Sequence, residues 1–151
     1  MSSYRHILVA VEADEEADRL LARARDLGRL FGAELSVLNV VEPMPMDLNG
    51  DLGVIPMNLS GEMREQARNT LQPLCAAHGL EPARLRIEVG QITATILAVA
   101  EELGADLILL GHHRQRGLAA LFSHTDKGVV SKAHCDVLAV TLQPGEASAR
   151  A

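Results

Sequence analysis

The segment Gly111–Gly128, GHHRQRGLAALFSHTDKG, holds the densest set of chemically capable side chains in this chain. Gly111 directly follows the apolar run LILL, as the first glycine of a phosphate-binding loop does. Such loops work because backbone N–H groups point at the anion and no Cβ intrudes. Gly117 comes next, and Ser123, His124 and Thr125 stand where a helix is expected to begin. Other chemistries fit less well. His112, His113 and His124 invite a metal ion, but adjacent histidines in an extended turn point different ways. No carboxylate or cysteine stands at ligand spacing, so they read as exposed loop histidines and no metal is expected. Ser123, His124 and Asp126 lack a G-x-S-x-G elbow, and sequence neighbours rarely assemble a triad. Helix capping describes Ser123 and Thr125 better than phosphoryl acceptance. Asp47, Asn49 and Asp51 begin like a calcium loop, but Leu52 occupies its glycine position and Asn58 its final glutamate.

The bulk composition narrows the function classes. With 151 residues, 48% of them apolar, the chain suits one domain with a substantial core. Tyr4, Phe31 and Phe122 are the only aromatic residues, so Leu, Val, Ile and Ala must build that core. A net charge of −6 argues against nucleic acid or an anionic membrane as partner. No apolar run reaches transmembrane length, and MSSYRHILVAV reads as a strand rather than a signal peptide. Cys75 and Cys135 lack motif spacing, and buried free thiols in a cytoplasmic protein are expected.

Strands are expected at Tyr4–Val11, Glu34–Val41, Arg84–Val89, Asp106–Leu110 and Asp136–Leu142. His6 reads as a strand-edge side chain. Helices are expected between the strands. Asp14 caps the first, whose stripe Ala17, Leu20, Leu21, Ala24, Leu27 and Phe31 ends at Gly32. Ser60 caps the second, which Pro73 should kink or break, and Gly79 stops it. Ile92 to Leu103 forms the third and about Thr125 to Ala133 the fourth. Glu42–Leu59 reads as a long irregular loop. Strict alternation implies a single α/β domain over residues 1–143: a doubly wound, Rossmann-like parallel sheet of five strands in order 3-2-1-4-5, with about four helices. A polar tail, 144–151, follows. Ligands of such sheets sit at the carboxyl ends of the strands, at the switch point, near Glu12 and Gly111.

RHILVAVEADEEA, LILLGHH and AHCDVLAV, in this order and spacing, resemble the universal stress protein family over essentially the whole chain. ATP-binding members of that family resemble one another in a G-x2-G-x9-G-[ST] loop and an Asp after the first strand. Here Gly111 matches the first glycine and Arg114 stands at the second. Counted forward, the third glycine and the hydroxyl fall on His124 and Thr125; counted back from AHCDVLAV, they fall on Ser123 and His124. Glu12 replaces the Asp. The GHH turn and the loop GVIPMNLSGEMREQ are similar to universal stress proteins of the A type, regarded as not binding ATP. Gly117-Leu118 looks like the ATP-binding members. The resemblance therefore implies a non-enzymatic, cytoplasmic stress-response and protein-interaction module with no cofactor expected. The alternative is an ATP- or AMP-binding sensor with at most slow hydrolysis or autophosphorylation. A nucleotide, if bound, would meet Val11, Glu12, Val40, Gly111, Arg114, Gly117, Ser123, His124 and Thr125. The resemblance also implies a homodimer through the last strand, Val137, Leu138, Ala139, Val140, Thr141 and Leu142, whose apolar edge invites pairing.

Overall fold

The run HILVA forms β1 (His6–Ala10), and Ile7, Leu8 and Val9 have no exposed surface. A strand covered on both faces carries no polar alternation, which is why its sequence is continuously apolar. The computed structural model describes residues 3–43, 57–113 and 124–142; of 57–59, 113 and 124–126 it describes the backbone. Around β1 stand β2 (Glu34–Val41), β3 (Leu85–Val89), β4 (Leu107–His113) and β5 (Asp136–Leu142), all parallel, in the order β3-β2-β1-β4-β5. The expected sheet and strand order are thus observed.

Four helices cover the two faces: α1 (Ala17–Phe31), α2 (Met57–Ala77), α3 (Ile92–Leu103) and α4 (His124–Lys132). Leu21 of α1 and Leu71 of α2 pack in one cluster with Ile7, Val9, Val37 and Leu109. Ile96 of α3 and Val129 of α4 pack in the other with Leu8, Leu38 and Ile108. Alternate residues of each strand feed alternate layers, as a pleated strand requires. Tyr4 meets Phe31 edge-on, with ring centroids 5.0 Å apart.

Several local expectations are corrected. Ser60 is not the cap of α2, which begins at Met57, so Ser60 lies inside it and residues 57–59 are helical. Nor does Pro73 break this helix, which runs on to Ala77. Pro73 and Asn69, whose carbonyl loses its i+4 donor, both face solvent, where water replaces the lost bond. The regular part of α1 starts at Ala17; Asp14 Oδ1 accepts the Glu16 N–H at 2.9 Å and so caps the entry turn instead. Arg84 belongs to a 3-10 turn, Pro82–Arg84, rather than to β3. His6 opens the central strand, its Nε2 2.7 Å from Ser36 Oγ.

The correction with most bearing on function concerns β4. It does not stop at Leu110: Gly111, His112 and His113 continue it, paired with Val140, Thr141 and Leu142. His112 is therefore a half-buried strand residue and not an exposed loop histidine. Gly111 has no positive φ. Its glycine identity answers a packing demand, because a Cβ there would lie 2.5 Å from Leu142 Cδ1 and 3.5 Å from Leu20 Cδ2. Gly61, within α2, has nothing within 4 Å of such a Cβ. Opposite outcomes are expected for one chemical change. Gly61→Ala should stabilise by about 0.5–1 kcal/mol through helix propensity, and Gly111→Ala should destabilise by about 1–3 kcal/mol through overpacking. Urea denaturation of both variants checks this.

Candidate functional site at the carboxyl edge of the sheet

The chain leaves β1 through Val11, and β2 holds both of its backbone groups. Val11 N–H donates to Leu38 O at 2.9 Å, and Asn39 Nδ2 donates to Val11 O at 2.8 Å. Asn39 is only 6% exposed, so this bond forms away from competing water. Beyond the clamp the backbone folds back at once: Asp14 N–H donates to Glu12 O at 2.9 Å, and Ala17 N–H to Asp14 O at 3.2 Å. Glu12 is thereby fixed at the crevice mouth with an exposed side chain.

β4 supplies the other wall. Ala10 pairs with Leu110, so Val11 and Gly111 each stand one residue beyond the last registered pair of β1 and β4. Val40, half-buried, packs toward the α3–α4 layer from the adjoining strand. The fold thus brings Val11, Glu12, Val40 and Gly111 to one edge, at the point where strand order reverses. His124 and Thr125 form the first turn of α4, where backbone N–H groups lack intrahelical acceptors. Arg114, Gly117 and Ser123 lie outside the described residues, as does the start of the calcium-like run at Asp47–Asp51.

Asn39, which holds this edge together, was not among the residues expected from the sequence. Its signal was present: one amide inside ELSVLNVV, a strand buried on both faces, must find a partner. Beside the crevice lies a cleft of about 480 Å³, lined by Glu42, Gln91, Thr93, Leu97, Gly128 and Lys132 among others. The start of α3 facing it is already satisfied. Gln91 Oε1 accepts the Ala94 N–H at 2.6 Å, and Glu42 Oε2 accepts the Ile92 N–H at 3.4 Å. That helix end offers an anion little. Gly128 allows α4 close to α3, since a Cβ there would lie 2.8 Å from Thr93 Cγ2.

Among the described residues no three His, Cys, Asp or Glu side chains group as metal ligands. Cys75 and Cys135 are both free, the first buried and the second half-buried. Burial pushes both thiols up, and Asp136 and Asp106 push Cys135 further, so both stay protonated and unreactive near neutrality. No helix among the described residues is long and apolar enough to cross a membrane.

A parallel five-stranded sheet in the order β3-β2-β1-β4-β5, with helices on both faces, defines a doubly wound α/β protein. The universal stress protein family matches residues 3–141, and the chain belongs to that family. It is 30% identical over 141 residues to universal stress protein A homolog 1 of Coxiella burnetii, covering 93% of this chain and 98% of that one. In structure it is similar to the hypothetical protein MJ0577, with a TM-score of 0.74, 22% identity and coverage of 93% and 98% of the two chains. It is also similar to a universal stress protein solved in complex with cAMP, with a TM-score of 0.60, 21% identity and coverage of 92% and 98%.

The clamp makes a prediction of its own. Asn39→Ala leaves Val11 O without its donor in a dry site and should cost about 1–3 kcal/mol. Asn39→Asp sets a carboxylate against that carbonyl and should cost more. Chemical denaturation ranks the three proteins.

Proposed function

We propose that the chain is a universal stress protein of the A type: a cytoplasmic, homodimeric stress-response module that works through protein contacts, with a degenerate nucleotide site. One observation carries the reading. The positions where ATP-binding members resemble one another in glycine hold Arg114 and, in either register, Ser123 or His124. A Cβ at these positions narrows the approach of phosphate to backbone N–H groups, and at Arg114 it opposes a left-handed backbone. Glu12 reaches one methylene further into the crevice than Asp. No nucleophile and acid–base set accompanies these changes, so the reading is non-enzymatic, with at most slow ATP hydrolysis or autophosphorylation.

The dimer draws support from the two sheet edges. On β3, Arg86 holds Glu88 and Glu102, and paired charges discourage another strand. On β5, Leu138 is 39% exposed, with Thr141 also turned out, while Val140 and Leu142 serve the chain's own core. β5 is thus the edge built to pair, Leu138 contributing a side chain and its neighbours their backbone.

A second reading, a nucleotide-responsive sensor, has its own support. The carboxyl edge keeps its clamp, a universal stress protein of the same fold binds cAMP, and Arg114 is chemically a good phosphate ligand.

Calorimetry on nucleotide-stripped protein with Mg²⁺ separates the two. The A-type reading expects no saturable heat from ATP at micromolar concentration, and saturable micromolar binding would replace it with the sensor. Restoring glycine at Arg114 and at the Ser123–His124 pair should tighten binding by roughly tenfold to a few hundredfold, each decade being about 1.4 kcal/mol. By sedimentation, the native chain should be a dimer and Leu138→Asp a monomer with an unchanged circular dichroism spectrum.

A further inference from the structure

The opposite pole of the sheet holds a second cleft. It has a volume of about 430 Å³ and lies where α1 and α2 end and β2 and β3 begin. Its charged lining is mostly cationic, Arg25, Arg29 and Arg84 against Glu81, with the His78 imidazole beside them, and its apolar lining includes Leu35 and Leu80. That volume falls within the range of small-molecule sites.

Arg25 is held there by a relay. Its Nη1 donates to His78 Nδ1 at 3.0 Å, which puts the imidazole proton on Nε2. That Nε2–H donates to Asp18 Oδ1 at 2.8 Å. His78 is nearly enclosed, with 9% of its side chain exposed, so the relay joins α1 to the end of α2 in a sheltered place. The opposite edge of the guanidinium is poorly used. Nη2 reaches Asp26 Oδ1 only at 3.4 Å, and Nε–H is buried with no acceptor among the described residues. Nε and Nη2 together form the fork that a carboxylate grips with two parallel bonds. Nε–H is shielded from water in this conformation, so its unmet bond is not relieved by solvent. The Arg25 side chain as a whole is still 31% exposed, and its Asp26 contact is long enough to give way.

We propose that this cleft binds a small organic carboxylate, gripped by the Nε–Nη2 edge of Arg25 after a small rotation toward the cleft, with Arg84 at the rim and its apolar body on Leu35 and Leu80. The surroundings favour one negative charge over two. The carbonyl ends of α1 and α2 point to this pole, and Glu81 lines the cleft, so a dianion such as phosphate meets opposing fields. Glu34 already takes part of Arg84, at 3.5 Å. The site is separate from the carboxyl edge and independent of whether a nucleotide binds there.

The test titrates butyrate into the full chain and follows the Arg25 Nε–H signal and the Leu35 and Leu80 methyls by NMR. The expected result is a saturable downfield movement of Nε–H with matching methyl shifts. Arg25→Lys keeps the charge and loses the fork, and should weaken the methyl response roughly tenfold or more. Arg64→Gln, exposed on α2, should leave it unchanged. Should Arg25→Lys fail to fold, Arg84→Gln at the exposed rim serves instead, with a severalfold weakening expected. A linear, unsaturated response through tens of millimolar butyrate overturns the site, as does an equal response in the variants. Tighter binding of inorganic phosphate than of butyrate overturns the assignment to carboxylates.

Discussion

β1 is buried on both faces, and the rest of the structure is arranged around that constraint. Ile7 and Val9 need one helical layer and Leu8 another, so helices must lie on both sides of the sheet. Parallel neighbours on both edges of β1 follow, because the crossovers that bring the chain back are the helices themselves. The reversal of strand order on either side of β1 then opens the crevice. The geometry of the sheet's carboxyl edge is in this sense a by-product of burying the five-residue β1.

The two poles of the sheet are finished differently. At the carboxyl pole the Asn39 amide holds the exit of β1, and glycine at 111 makes room for Leu142. At the amino pole carboxylates do the fastening. Asp106 accepts the N–H groups of Arg5 and His6, so that, although burial pushes its carboxyl up, those bonds hold it below the usual range. Tyr4 Oη donates to Asp136 across the same end. The amino pole is therefore rich in charge and the carboxyl pole in backbone groups.

A nucleotide-type fold need not keep its nucleotide. The clamp, the register of β1 with β4 and the start of α4 belong to the scaffold, and folding stability maintains them whether or not phosphate binds. Gly111 is kept on the same ground, since Leu142 fills the space where its Cβ would lie.

Element order, strand order and the two-layer core were legible in the sequence alone, because apolar periodicity and glycine stops are local and the right-handed crossover rule leaves few arrangements. Family membership was legible too, from three motifs in order. What only the tertiary structure decided is where local rules meet distant partners. Pro73 is tolerated where both it and Asn69, four residues earlier, lie on the exposed side of α2. β4 extends through His113 because β5 offers Val140–Leu142 beside it. Gly111 is a packing glycine because Leu142, thirty-one places along the chain, fills the space where its Cβ would be. Asn39 gains meaning only once Val11 lies beside it, and Arg25 only once the end of α2 brings His78 to its guanidinium. Each of these depends on contacts between residues far apart in sequence, and no local pattern encodes a partner's position.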